Sequence, residues 1–251
     1  MVVAGGGTGK SGPGNGAATA LRLAEEGARV VVGDLDATAA ETTASMIADG
    51  GGTAEALAFD IAEEQSVHEL VELAVSTYGG VDGLHVSAAD MSRETLGRDS
   101  ETDAVTIPLD VWQRTLDVNL TGFLLCVKAT VPRLLERGGG AIVNTISDAA
   151  FVGEPIRVGY ATTKAALTAV TRHVASAWGT EGIRCNSIAP GLIARDDAME
   201  PTLADRYGPM PRSRRFGRPA DIAAAAAFLL SDDGEWVNGQ VWSVNGGHVL
   251  R

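Results

Sequence analysis

The stretch 3-VAGGGTGKSGPGNGAATALRLAEEG-27 admits two readings. Ala4 to Ser11, AGGGTGKS, fits a relaxed phosphate-loop pattern, [AG]-x4-G-K-[ST]. The following GPGNGAATALRLA looks like the glycine turn that opens the first helix of a dinucleotide-binding fold. In a phosphate loop, Gly-Lys-Ser begins the helix whose backbone N–H groups cradle the phosphates. Here Lys10-Ser11 runs into Gly12-Pro13-Gly14-Asn15-Gly16. Glycines and a proline packed that densely cannot make the first turns of a stable helix. The helical pattern starts only at about Gly16 or Ala17, so Lys10 and Ser11 belong to a loop. The triphosphate reading also lacks a second site element, because the Asp ending 30-VVVGD-34 is needed elsewhere.

The dinucleotide reading uses the same residues better. Gly14-x-Gly16 enters a helix beside the small residues Ala17 and Ala18, which let the helix approach a strand and seat a pyrophosphate on its N-terminus. The next strand ends at Asp34, where a carboxylate can accept hydrogen bonds from ribose hydroxyls and would repel a 2′-phosphate. NAD is therefore expected, with NADP less favoured.

Working outward, short Val- and Ile-rich runs alternate with longer helical patterns. Strands are expected at about 1–4, 29–33, 54–59, 83–88, 140–146, 183–188 and 239–244, and helices at about 16–26, 36–49, 63–78, 108–136, 158–179 and 219–231. This alternation predicts an α/β, Rossmann-like, doubly wound fold: one parallel seven-stranded sheet flanked by helices on both faces. With no repeat or linker in view, residues 1–251 are expected to form a single dinucleotide-binding and catalytic domain. Segments 90–107 and 191–217 read as long loops after strands, the second as a substrate lid.

Composition narrows the function. Hydrophobic residues make up 45% of the 251, a globular proportion. A net charge of −12 argues against nucleic-acid or anionic-membrane partners. No apolar run approaches the ~18 residues that span a bilayer, and the chain opens on a strand-like segment rather than a signal peptide. Cys126 and Cys185 have no redox or metal spacing and read as small buried residues of a cytoplasmic protein. His68, His85, His173 and His248 likewise show no metal-ligand spacing and read as structural or exposed. No metal site is expected.

The chemistry concentrates in 160-YATTK-164. Tyr160 and Lys164 are i and i+4 on one helix face. A phenol with a pKa of ~10 is a poor acid–base catalyst at neutral pH, and a nearby ammonium favours its phenolate. Ser147 ends the apolar strand 140-GAIVNTIS-147, at the sheet edge where ligands bind. Asn119, in 117-DVNL-120, is an uncharged polar residue within an apolar run.

Together the glycine turn, Asp34, 59-FDI-61, DVNL, the Ser-x12-Tyr-x3-Lys array, 189-APG-191 and 239-GQVWSVNGG-247 resemble the classical short-chain dehydrogenase/reductase superfamily over essentially the whole chain. The resemblance implies hydride transfer between nicotinamide C4 and a carbinol or carbonyl carbon. By position it implies Tyr160 as general acid/base, Lys164 lowering the Tyr160 pKa and holding the nicotinamide ribose, Ser147 on the substrate oxygen, and Asn119 holding a relay water. It implies Gly12, Gly14, Asn15 and Gly16 at the pyrophosphate, Gly5 leaving the first strand within the cofactor site, Asp60 and Ile61 beside adenine, Ala88 within the cofactor site, and Pro190, Gly191 and Ile193 at the nicotinamide end. It also implies a homotetramer pairing helices 108–136 and 158–179 and the last strand.

The sequence departs from that pattern in places. The glycine turn is about five residues too long, read as an insertion. Asn-Asn-Ala-Gly after the fourth strand is Val86-Ser87-Ala88-Ala89, and the threonine of Pro-Gly-x3-Thr is Arg195. The expected activity is NAD-dependent oxidation of a secondary or cyclic alcohol. The alternatives are an NADPH-dependent 3-oxoacyl reductase and a catalytically silent dinucleotide-binding protein. Arg98, Asp148, Glu154, Arg157, Arg195 and Met199 are candidate substrate-pocket residues.

Overall fold

The apolar runs fix both faces of one sheet. Val2 and Val31 turn to one face, and Val3, Val30 and Val32 to the other, all fully buried. A strand apolar on both faces belongs inside a parallel sheet covered on both sides. The computed structural model describes residues 1–196, 199, 201 and 212–250. Its strands are β1 (Val2–Ala4), β2 (Thr8–Gly9), β3 (Gly12–Pro13), β4 (Arg29–Asp34), β5 (Thr53–Ala58), β6 (Gly83–Val86), β7 (Gly140–Thr145), β8 (Ile183–Pro190) and β9 (Val241–Val244). Seven of them form one parallel sheet in the order β5-β4-β1-β6-β7-β8-β9, matching the expected strands closely.

The helices are α1 (Asn15–Glu25), α2 (Ala37–Asp49), α3 (Glu64–Tyr78), α4 (Leu109–Leu116), α5 (Gly122–Glu136), α6 (Val158–Trp178) and α7 (Pro219–Leu230). Leu23, Ile47 and Ile222 from α1, α2 and α7 bury against one face. Leu70, Phe123 and Leu167 from α3, α5 and α6 bury against the other. The strand order reverses between β1 and β6, and the crevice beyond their carboxyl ends is where such sheets bind ligands.

Four local features differ from the sequence expectation. First, β2 and β3 form a small antiparallel hairpin, with Thr8 opposite Pro13 and Gly9 opposite Gly12. The extra residues of the glycine turn make it up, and no strand was expected there. Second, the helix expected over 108–136 is continuous but carries a wide π-type turn at Asp117–Thr121. Such turns take one extra residue into the helix and recur at functional sites. Third, segment 90–107 is not wholly irregular, since Arg93–Gly97 makes a helical turn capped by the Ser92 hydroxyl.

Fourth, Leu109–Glu136 is long and apolar enough to cross a bilayer by length and composition, contrary to the sequence reading. Its apolarity has a plainer cause here: Val118, Phe123, Val127, Val131 and Leu134 are buried in the core. Beside this core side, α5 and α6 line a groove of about 570 Å³, walled by Leu124, Val127, Val131, Val170, Val174 and Trp178.

Candidate active site

The glycine turn begins where β1 stops. Gly5 and Gly6 both donate to the Gly33 carbonyl, at 2.8 and 3.0 Å, and so stay on the sheet edge. Gly5 adopts φ +82°, a left-handed conformation costly for residues with a Cβ. Gly16, at the start of α1, packs so closely on Gly5 that a Cβ there would lie 2.0 Å from the Gly5 carbonyl oxygen. Only glycine permits that approach of helix to strand.

Between these fixed points the chain makes its detour through the hairpin. Thr8 Oγ1 lies 2.8 Å from Thr43 Oγ1 on α2, and the buried Thr43 hydroxyl donates to Gly6 O at 2.8 Å. Gly7 N donates to Asp34 Oδ2 at 2.8 Å, and Asp36 N to Asp34 Oδ1 at 3.2 Å. The loop's own backbone thus holds the Asp34 carboxylate in place at the end of β4. Lys10 and Ser11 form the exposed hairpin tip, and neither lines the cleft below.

That cleft encloses about 770 Å³. Every sequence-derived cofactor residue lies on its wall: Gly5, Gly12, Gly14, Asn15, Gly16, Asp34, Asp60, Ile61, Ala88, Tyr160, Lys164, Pro190, Gly191 and Ile193. Ser147 is there too, as are Arg195, Asp90 and Arg114. Asp60 is held by its own loop, with Oδ1 accepting from Ala62 N and its N–H donating to Ser66 Oγ. Asn15 Oδ1 is buried without a hydrogen-bond partner, an acceptor left for a ligand donor. A glycine cradle that excludes Cβ atoms, a helix N-terminus without a side-chain cap and an orphaned buried acceptor together suit a dinucleotide.

At the far end of the cleft, α6 carries Tyr160 and Lys164 on one face. Lys164 is buried, donates to Thr145 O at 3.2 Å, and lies 4.6 Å from the Phe123 ring centroid and 5.7 Å from that of Tyr160. Burial pushes its ammonium pKa down to about 7. Ser147 Oγ accepts from Ala149 N at 3.2 Å, starting a short 3-10 turn after β7.

The start of α6 is fixed from a distance. Asp99 is completely buried, and its carboxylate accepts from Gly159 N at 3.2 Å and Tyr160 N at 2.8 Å. Its carbonyl accepts from Arg157 N at 3.0 Å. A negative charge at a helix N-terminus is favoured by the unpaired N–H groups there. No sequence signal pointed to Asp99.

Asn119 stands apart from the other three expected catalytic residues. It is buried in the wide turn between α4 and α5 and does not line the cleft. Its Oδ1 accepts from Asp90 N at 3.1 Å. Asp90 is the hub of this wall, accepting from Ser92 N, Thr95 Oγ1 and Arg114 Nε. Burial pushes its carboxyl pKa up, but the hydrogen bonds from Ser92, Thr95 and Arg114 outweigh that and hold it below the usual range.

Of the candidate substrate-pocket residues, Arg195 lines the cleft, and Arg98, Asp148, Glu154 and Arg157 do not. Arg98 pairs with Asp110 at 2.8 Å and Glu154 pairs with Arg157, none of them on the cleft wall, but the Arg157 guanidinium lies 6.0 Å from the Tyr160 ring centroid and so stands beside the site. Asp148 is buried and accepts from Asn245 Nδ2 at 3.1 Å, with His248 Nδ1 at 3.2 Å. These contacts turn it toward the carboxyl-terminal tail. Of the segment 191–217, residues 197, 198, 200 and 202–211 lie outside the described residues. Its two ends are tied together, with Ala194 N donating to Gly217 O at 2.8 Å and Gly217 N to Leu192 O at 3.0 Å.

His85 is buried against Thr145 Oγ1 at 2.9 Å, and burial pushes its pKa down to about 4, so it is neutral. Cys126 and Cys185 are free and buried, and burial pushes both thiols up to about 12.

Comparison with known proteins agrees with this geometry. Residues 11–248 match the family model described as Enoyl-(Acyl carrier protein) reductase. The match begins at the tip of the inserted hairpin. The chain is 42% identical to a probable short-chain type dehydrogenase/reductase of Bradyrhizobium diazoefficiens, over 96% of this chain and 85% of that protein. It is 37% identical to a cyclohexanol dehydrogenase of Acinetobacter sp., over 96% of this chain and 93% of that one. Among solved structures, a 7α-hydroxysteroid dehydrogenase complexed with NADH and 7-oxoglycochenodeoxycholic acid superposes with a TM-score of 0.85 at 32% identity, over 100% of this chain and 94% of that chain. By sequence and by fold, the chain belongs to the short-chain dehydrogenase/reductase superfamily of oxidoreductases.

Proposed function

We propose that this enzyme oxidises a secondary or cyclic alcohol to a ketone, with NAD as the acceptor. The observation that carries the reading is the continuity of one cleft. It runs from the glycine turn and Asp34 at one end to Ser147, Tyr160 and Lys164 at the other. The cofactor supplies a nicotinamide C4 that takes the hydride and its two electrons from the carbinol carbon. The protein's part is position and proton transfer.

In this reading Tyr160, as phenolate, takes the hydroxyl proton while the C–H leaves as hydride, so carbinol becomes carbonyl. The Ser147 hydroxyl donates to the substrate oxygen and fixes its orientation. Lys164 favours the phenolate when protonated and hydrogen-bonds the nicotinamide ribose. Asp34 keeps an acceptor for ribose hydroxyls, and its charge disfavours a 2′-phosphate. Asn119 orders the Asp90 turn along the cleft wall, and the residues of its wide turn are where a relay water would be held.

Residues 1–251 act as one domain, the 191–217 segment, whose residues 197, 198, 200 and 202–211 lie outside the described residues, is assigned as the substrate lid from its place after β8, and the apolar groove between α5 and α6 pairs subunits of a homotetramer in the cytoplasm. The groove supports the assembly reading, because apolar side chains such as Leu124, 51% exposed, gain from a partner surface.

The test is a parallel fluorescence titration with NADH and NADPH, followed by hydroxysteroids, cyclic diols and 3-oxoacyl thioesters as substrates. Tighter NADH binding and alcohol oxidation are expected, and Tyr160→Phe should lower kcat by about 10²–10⁴ while leaving NADH binding intact. Turnover only of 3-oxoacyl thioesters with NADPH would replace this reading with the reductase one. Dinucleotide binding without turnover of any substrate would favour a silent binding protein.

A further inference from the structure

Arg195 occupies a place the reaction above does not use. It follows β8 on the segment leading away from Pro190 and Gly191, and its side chain lines the cleft. A Cβ placed on Gly14 would have one neighbour within reach, Arg195 Nη2 at 4.0 Å. Gly14 is the residue immediately before α1, and no side chain caps that helix. The guanidinium therefore stands over the helix N-terminus, where unpaired N–H groups already concentrate positive potential. Among the described residues, no carboxylate or carbonyl pairs with it. Two positive groups converging on one spot repel each other unless an anion lies between them. A planar guanidinium binds phosphate oxygens in a forked geometry and does so better than a hydroxyl or an ammonium.

We propose that Arg195 is a pyrophosphate-binding residue, closing on the dinucleotide's diphosphate from the side opposite the α1 N-terminus. The inference rests on the dinucleotide reading of the cleft and deepens it. It makes Arg195, five residues beyond β8, an electrostatic clamp, where the family resemblance led to the expectation of a threonine. Lys10, at the exposed hairpin tip, does not line the cleft, so the clamp depends on Arg195 rather than on that lysine.

The experiment is calorimetric titration of wild-type protein, Arg195→Ala, Arg195→Lys and Lys10→Ala with NADH, ADP-ribose and adenosine. ADP-ribose carries the diphosphate without nicotinamide, and adenosine carries neither. Circular dichroism checks that each variant is folded. Arg195→Ala should weaken NADH and ADP-ribose by the same factor, about 10- to 100-fold, as expected for losing a charge-assisted hydrogen bond. Adenosine affinity should not move. Arg195→Lys should recover part of the loss, and Lys10→Ala should stay within about twofold.

The salt dependence of ADP-ribose binding should also become shallower in Arg195→Ala. ADP-ribose affinity unchanged in Arg195→Ala would overturn the proposal, as would an equal loss for adenosine or a loss confined to Lys10→Ala. Wild-type protein that bound neither NADH nor ADP-ribose would overturn the dinucleotide reading itself, and this proposal with it.

Discussion

Replacing Asp99 by alanine tests how the catalytic helix is held. The carboxylate is fully buried and accepts the backbone N–H groups of Gly159 and Tyr160 at 3.2 and 2.8 Å. Alanine leaves both donors without an acceptor in a dry site, at ~1–3 kcal/mol each. Removing a buried charge returns some desolvation energy, so the net cost is about 3 kcal/mol. At ~2–4 °C per kcal/mol for a chain of this length, the melting temperature should fall by about 6–12 °C. Asp99→Asn keeps one acceptor oxygen and should lose about half as much. Tyr160 sits in the affected first turn of α6, so turnover should fall along with stability. Thermal unfolding by circular dichroism reads the first effect and steady-state kinetics the second. An Asp99→Ala protein melting within about 2 °C of wild type would refute this account of the α6 N-terminus.

Two further outcomes follow from the same structure. Burial holds the Lys164 pKa near 7 in the folded chain, against 10.5 in the open one. Unfolding therefore takes up a proton between those values, and the destabilisation that Lys164 brings is full below about 7 and fades as pH rises toward 10.5. Lys164→Met should melt higher than wild type at pH 6–7, with the gap closing toward pH ~10 in a melting series; a gap independent of pH would contradict the buried-ammonium picture. Thr43→Val removes the hydroxyl shared by Thr8 and Gly6, and should cost about 1–2 kcal/mol and expose Lys10 to faster tryptic cleavage, read by mass spectrometry.

The sheet was legible because its signal is local and repeated. Val2, Val3, Val30, Val31 and Val32 announce strands buried on both faces, and the glycine turn and Asp34 place the crevice. The spacing of Ser147, Tyr160 and Lys164 likewise brings the three to one cleft wall, since one helix face and one strand end fix it. What failed to show was long-range or short-lived. Asp99 meets Tyr160 across a sequence separation of 61, and no local pattern records such a contact. The hairpin strands have two residues each, too few for alternation to register.

The wide turn at Asp117–Thr121 contains no glycine or proline to mark it. Of the pocket candidates, Arg98, Asp148, Glu154 and Arg157 are not on the cleft wall, although the Arg157 guanidinium lies 6.0 Å from the Tyr160 ring centroid, because nearness in sequence to a catalytic residue does not fix direction. Arg98 pairs with Asp110, Asp148 meets Asn245 and His248, and Glu154 pairs with Arg157.

The hairpin in the glycine turn also changes how this chain can be handled. Thr8 and Pro13 face each other across the ladder, so the inserted chain returns to where it left, and Gly5 and Gly16 still touch. The detour is a closed side-branch that leaves the strand–helix junction undisturbed. Its tip projects into solvent at the rim of the ligand cleft. Ser11 is thus an attachment point, where a dye or spin label would sit outside the cleft wall and still sense what enters it.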